Sequence, residues 1–298
     1  MNGTVHVALI VVQLLFGALP IAAKIVLREM SPGLLAVARV AGAAAVFGVL
    51  HLCFVRDRIR ERRDLRRLAL YGFLGVSANQ WLYLEGLSRT TALNAQILVT
   101  SIPALTVAVA ILLRREPASR LRWAGVAVAG AGALYLIGVE RFDSTAALGN
   151  ALVLANSTCY ALYLVLARDL LVRYRSSTFA TWIFLFGAIT LIPLGAVSVA
   201  DAGVPHLSVP AGLALTFAIA GPTVGAYFLS VWALKRVRSS LVAVYVYLQP
   251  VVAGALAAWW LDEPVSPRVV PAAILIFAGV ALVAWAERRP LVAPSVAS

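Results

Sequence analysis

Residues 116–138 read EPASRLRWAGVAVAGAGALYLIG, and residues 263–283 read EPVSPRVVPAAILIFAGVALV. Each stretch opens on Glu-Pro, places a serine three residues after the glutamate (Ser119, Ser266), and runs into an apolar helix-length segment with a small-residue stripe. The two lie about 147 residues apart, and other landmarks keep that offset without a gap. Pro103 falls on Pro250, Gly132 on Gly279, Arg89 on Arg236 and Arg28 on Arg175. Self-similarity at a fixed offset marks a duplicated structural unit. The chain therefore divides into a first copy, residues 1–145, and a second, residues 146–298.

Working outward, the same kind of apolar stretch recurs along the whole chain. Hydrophobic residues make up 62% and charged residues 13%, against about 25% charged in an ordinary soluble domain. The hydrocarbon core of a bilayer is about 30 Å thick and needs about 20 apolar residues in a helix. Ten segments meet that need, near 5–24, 34–54, 68–88, 92–113, 121–138, 148–171, 179–199, 210–233, 239–260 and 270–286. The expected fold is an all-α integral membrane protein of ten transmembrane helices, five in each copy. An odd number of crossings makes the second copy enter from the opposite side, so the two five-helix repeats are expected to be inverted. The first apolar run is read as an uncleaved helix, because residues 1–6 hold no Lys or Arg as a signal peptide would.

The net charge of +12 would suggest nucleic acid on a soluble protein. Here the basic residues sort by side of the membrane instead. With a cytoplasmic N-terminus, 19 of the 25 fall on inward loops and the tail, including Arg56–Arg67, Arg114–Arg122, Arg168–Arg175, Lys235–Arg238 and Arg288–Arg289. That is the positive-inside pattern, with both termini cytoplasmic and no call for a nucleic-acid partner. Cys53 and Cys159 both lie in apolar segments and read as small buried hydrophobes.

Inverted repeats characterise secondary transporters, because each half can take up the other's conformation and a site between them can face either side in turn. The Glu-Pro turn followed by a helix with a small-residue stripe, present in both copies, also resembles the repeat signature of the drug/metabolite transporter superfamily, EamA family. Ala272 departs from it, standing where the first copy has Gly125. The resemblance covers nearly the whole chain and implies a substrate cavity between the halves, worked by alternating access. The family includes amino-acid exporters of the YddG type. The resemblance thus implies export of small metabolites, amino acids foremost, by a protein of the bacterial inner membrane able to work as a monomer.

Polar groups are costly in hydrocarbon unless paired or facing a cavity, so they are the candidate substrate-binding residues. In the first helix His6, Gln13, Gly17, Pro20 and Lys24 share one face, suiting either a cavity or a helix–helix seam. In the sixth helix Asn156, Tyr160, Tyr163 and Ala167 do the same, with Tyr160 on the position of Gln13. Asn79, Tyr83 and Glu85 come from the third helix and Gln96 from the fourth. Tyr227 comes from the eighth, and Tyr245, Tyr247 and Gln249 from the ninth. Arg39 and Glu85 are the embedded charges. Each lies within about two turns of a helix end, where snorkelling to the interface, mutual pairing or contact with substrate would all serve. Pro103 and Pro250 are expected to remove helix hydrogen bonds at equivalent points and act as hinges. The small residues Gly125, Ala129, Gly132, Ala272 and Gly279 read as close packing.

Sugars, nucleotide sugars and drug-like amines are the alternative substrates. A phosphorylated cargo would call for several cavity Lys or Arg residues, and only Lys24 and Arg39 come near. An integral-membrane enzyme or sensor is the reading from a different class. His6, His51 and His206 are far apart, and no metal motif, phosphate loop or nucleophile elbow is present. No enzyme activity, cofactor or metal is therefore expected.

Overall fold

A backbone in hydrocarbon must satisfy its own N–H and C=O groups, and a helix does so within one segment. The computed structural model describes residues 3–55, 57, 59–115, 118–139, 144–203, 205–234, 245–246, 248–261 and 269–288. These form a bundle of ten rods and, among the described residues, no strand. In chain order they are α1 (Gly3–Leu27), α2 (Pro32–Leu50, extended by a wide turn His51–Val55) and α3 (Arg62–Gly72, Phe73–Ala78, Asn79–Leu87). Then follow α4 (Ala92–Val99 and Ile102–Leu112), α5 (Arg120–Val139), α6 (Ser144–Arg173) and α7 (Ser176–Ala202). Last come α8 (Val209–Ala218, Ile219–Gly225, Ala226–Leu234), α9 (Leu248–Trp260) and α10 (Val269–Arg288). Six of them, α1, α2, α4, α6, α7 and α8, are each long and apolar enough to cross a membrane unaided. Both Glu-Pro turns, Glu116-Pro117 and Glu263-Pro264, lie outside the described residues.

Local chemistry sets the helix ends. Ser31, Thr91 and Ser208 cap α2, α4 and α8, each accepting a bond from the backbone N–H three residues on, with Pro32 inside the first turn of α2. Gly203 takes φ 72° after α7, where the absence of a Cβ removes the steric penalty. The third rod starts at Arg62 rather than near residue 68, because its basic first turns form a helix that buries Asp64, Leu68 and Tyr71 on one side.

Contacts between loops order the two ends of the bundle. At one end Glu29 accepts from Ser208 N–H at 2.7 Å and Ser208 Oγ at 2.6 Å, tying the α1–α2 turn to the start of α8. These bonds hold the Glu29 carboxyl below the usual carboxylate range. Their contribution is therefore present above that range and is lost as pH falls through the lowered value. At the opposite, arginine-rich end Arg115 grips Asp169 with two bonds of 3.0 and 3.2 Å. Tyr174 donates to Asp64 at 2.7 Å, and Arg175 reaches Asp57 at 3.5 Å.

Helix contacts repeat when the first five rods are exchanged with the last five. The pair α1–α9 matches α6–α4, α3–α6 matches α8–α1, and α2–α7, α4–α9 and α5–α10 each map onto themselves. The α5–α10 seam is the most extensive. It is built where the sequence placed its small residues. A Cβ at Gly125 would lie 2.7 Å from the Gly279 carbonyl oxygen and 2.9 Å from Val283 N, and one at Gly132 would lie 2.9 Å from Ala272 O. Backbone cannot yield as a side chain can. Cys53, expected to be buried, is exposed on the wide turn after α2.

Gly125→Val is expected to destabilise the protein by about 1–3 kcal/mol through overpacking, read as a lowered unfolding midpoint in detergent. Gly130→Ala, on the same helix with nothing within 4 Å of its Cβ position, should stay within about 0.5 kcal/mol of the parent.

Candidate functional site

The polar face of α1 meets α9, so its residues form a seam between the halves. Gln249 Nε2 donates to Gln13 Oε1 at 2.6 Å, with both side chains buried. One turn along, Gly17 lets α9 approach: a Cβ there would lie 2.7 Å from Val252 Cβ and 3.2 Å from Gln249 O. Toward the N-terminus of α1, His6 Nδ1 and the Tyr245 hydroxyl share a hydrogen bond of 2.5 Å. Gln96 on α4 donates to the Phe16 carbonyl at 3.0 Å, while its Oε1 is buried with no partner among the described residues. Three amides thus converge where α1, α4 and α9 meet. Tyr247 lies outside the described residues.

The second feature is a pair of wide turns, Phe73–Ala78 in α3 and Ile219–Gly225 in α8, at equivalent places in the two copies. Such segments loosen the helix ladder and are frequent at functional sites. In each, a hydroxyl bonds the carbonyl five residues back, Ser77 to Gly72 at 3.3 Å and Thr223 to Ala218 at 2.7 Å. Ser77 also donates to Gly187 O at 3.0 Å and contacts Thr190 on α7. Thr223 accepts from Arg39 of α2, from Nε at 3.2 Å and Nη2 at 3.0 Å. Asn156 donates to the Asn79 carbonyl at 2.7 Å, just past the α3 wide turn.

The tyrosines gather beside these turns. The Tyr227 hydroxyl donates to that of Tyr163 at 3.2 Å, and the Tyr160 and Tyr163 ring centroids are 5.6 Å apart. Tyr163 is seated against Gly75, where a Cβ would come 2.5 Å from the ring. Phe184 meets Tyr227 edge-on at 5.1 Å. Rings with one hydroxyl each suit a cargo that is part apolar, part polar.

Glu85 does not join this group. It pairs with Arg89 at 2.6 Å near the end of α3, and among the described residues it makes no ion pair with Arg39. Arg39 is 1% exposed, so it does not snorkel to the surface. The prolines also differ from expectation. Pro103 lies in the first turn of Ile102–Leu112, after a break at Thr100–Ser101, and Pro250 lies in the first turn of Leu248–Trp260. A first-turn proline sacrifices no interior bond. In their place the Thr100 and Ser101 hydroxyls each donate at 2.6 Å to a carbonyl three residues back. The spacing places Thr100 on one face of the fourth helix with Gln96 and Pro103, whereas Ser77, Thr190 and Thr223 escaped the sequence reading. Gly75 and Pro222, at matching points of two apolar segments, were the signal that could have found the wide turns.

A cleft of about 240 Å³ opens elsewhere, at the ends of α1, α3 and α9, lined by Lys24, Leu27, Arg28, Leu87, Ser88 and Leu261. Lys24 is eleven residues beyond Gln13 on α1, or about 16 Å at 1.5 Å per residue. Among the described residues no three His, Cys, Asp or Glu side chains gather in a way that could hold a metal ion.

The model of the EamA-like transporter family matches the chain twice, over residues 4–138 and 147–285. The chain belongs to the EamA-like transporter family. That membership makes it a multi-pass membrane transporter rather than an enzyme. This EamA protein is 30% identical over 289 residues to an uncharacterized transporter of Archaeoglobus fulgidus, covering 95% of this chain and 98% of that one. It is 29% identical over 234 residues to a probable terminal-alkyne amino-acid exporter of Streptantibioticus cattleyicolor, covering 77% and 75%. A solved crystal structure superposes with a TM-score of 0.66 at 20% identity, covering 97% of this chain and all of the other, and shares its fold.

Removing one amide of the α1–α9 pair strands the other in a buried site, at a cost of about 1 kcal/mol. Gln13→Leu and Gln249→Leu should each lower the unfolding midpoint in lipid nanodiscs. The double variant should lose less than the two losses added, because it strands neither partner.

Proposed function

We propose that this EamA transporter exports small zwitterionic metabolites, amino acids first, by alternating access between two inverted five-helix halves, residues 1–145 and 146–298. The observation that carries the reading is the buried Gln13–Gln249 bond between α1 and α9, one helix from each half. Neutral amides and the Tyr160–Tyr163–Tyr227 group offer hydrogen bonds and apolar surface without the cluster of cations that a phosphorylated cargo needs. Support for the amino-acid class also comes from the name of the Streptantibioticus relative. Inversion is supported by the odd helix number of each copy and by helix pairings that persist when the halves are exchanged.

In this reading both termini are cytoplasmic, as the basic loops require, in a bacterial inner membrane, and one chain suffices. The break before Pro103 and the first turn around Pro250 are the pivots. Cross-linking distances that stay constant across both prolines during turnover would remove them from that role. The cavity is drawn from α1, α3, α4, α6, α8 and α9.

Uptake of labelled amino acids into proteoliposomes tests the function, with empty liposomes as control and an imposed proton gradient as a variable. Saturable flux is expected for at least one amino acid. Gln13→Ala, Tyr160→Ala and Gln249→Ala should each lower it by about fivefold, the worth of one hydrogen bond of about 1 kcal/mol, while still inserting. Flux of sugars or amines with none of any amino acid would overturn the substrate class. Wild-type rates in all three variants would overturn the site.

A further inference from the structure

We propose that Arg39, Tyr83 and Thr223 form the subsite that takes the carboxylate of the transported molecule. The inference rests on the transport reading above and names the group by which the cargo is held.

Arg39 is a cation enclosed by protein, and its bonding is incomplete. Thr223 Oγ1 accepts from Nε and Nη2. The hydroxyl's own proton is committed to the Ala218 carbonyl, so this neutral group has nothing further to offer. Among the described residues Nη1 has no partner, and neither does the buried Tyr83 hydroxyl, which sits on the Asn79–Leu87 segment of α3 that packs on α2. Two buried donors on packed helices are therefore left unused. Among the described residues no carboxylate pairs with Arg39, since Glu85, two residues from Tyr83, is taken by Arg89.

A water molecule could accept from Nη1 but would leave the charge unbalanced. A carboxylate supplies both the lone pairs and the charge. Its two oxygens match the planar guanidinium fork, and the Tyr83 O–H gives a third donor. An amine would be repelled, and a neutral sugar would leave the cation unbalanced.

The other half provides an internal control. In the α3 wide turn, Ser77 meets α7 through the Gly187 carbonyl and the Thr190 hydroxyl, and its own helix through the Gly72 carbonyl. That site is neutral and satisfied. Among the described residues the unmet demand for an anion lies on the α2–α8 side, so the cargo would bind with its carboxylate in one direction. Thr223 lies within the loosened Ile219–Gly225 segment of α8, which packs on α2. Parting those two helices opens the subsite, which is shut in the present conformation.

The test uses the full chain in nanodiscs and follows thermal unfolding against four ligands. These are the best-transported amino acid, its carboxamide, its deaminated acid and sodium chloride, with acetate replacing the first three if no amino acid is carried. In the parent, the amino acid and the deaminated acid should bind, and the carboxamide should bind about tenfold more weakly. Tyr83→Phe and Thr223→Val should each weaken the acids by about fivefold and leave the carboxamide unchanged. These two variants decide the matter even if Arg39→Gln fails to fold. Equal binding of acid and carboxamide, stabilisation by chloride alone, or no response to any anion would each overturn the subsite. Amino-acid flux with no preference for the carboxylate would sink the subsite and leave the transport reading intact. An absence of amino-acid flux, with acetate stabilising the parent but not Tyr83→Phe, would do the reverse.

Discussion

Hydrocarbon offers no hydrogen-bond partner, and that constraint shapes every feature of this protein. It forces the backbone into helices and obliges each buried polar side chain to find an acceptor or donor within the bundle. The pattern is visible residue by residue. Gln13 finds Gln249, Gln96 finds the Phe16 carbonyl, and Asn156 finds the Asn79 carbonyl. Where the helix ladder loosens, at the wide turns of α3 and α8, hydroxyls of Ser77 and Thr223 reach back to carbonyls of the same helix. Polar groups left over after this pairing, such as Arg39 Nη1 and the Tyr83 hydroxyl, are conspicuous for the same reason.

Duplication supplies shape twice and chemistry once. The two copies share the rods, the wide turns and the glycine at equivalent points of α5 and α10. They differ where side chains meet the interior. Gln13 of α1 corresponds to Tyr160 of α6, and Gly75, which seats Tyr163, corresponds to Pro222. Packing that sets helix approach tolerates little divergence at Gly132 and its equivalent Gly279, since a Cβ at Gly132 would lie 2.9 Å from the Ala272 carbonyl oxygen. The polar positions carry no such restriction, and there the halves have become unlike.

What could be read from the sequence follows the same division. The ten helices were legible because membrane crossing depends on about 20 consecutive residues taken together, and the α5–α10 seam because its glycine spacing is local. The faces of α1 and α6 were also legible from periodicity. What those faces meet was not: Gln13 and Gln249 are 236 positions apart, and periodicity places a side chain on a face without naming its neighbour. Glu85 looked like an embedded acid until Arg89, one turn away, proved to hold it. Pro103 and Pro250 read as interior to their helices because the cost of a proline depends on its position within the helix, and the break at Thr100–Ser101 has no apolar signature.

Two of the seams between the halves, α5–α10 and α1–α9, differ in how much it costs to part them. Along α5 and α10 the backbones themselves are in contact, with Gly125 against the Gly279 carbonyl and Gly132 against that of Ala272. Separation there forfeits many dispersion contacts at once and offers lipid no equally close fit. Along α1 and α9 the central link is one bond between neutral amides, and side-chain hydrogen bonds within membranes average about 0.6 kcal/mol. A glutamine that loses its partner can donate and accept equally well to a polar ligand or to entering water. In the proposed cycle the α1–α9 seam would therefore exchange its internal bond for bonds to cargo at nearly constant energy. The α5–α10 seam has no such substitute, and in the proposed cycle it is the seam that would hold the halves together while the other opens.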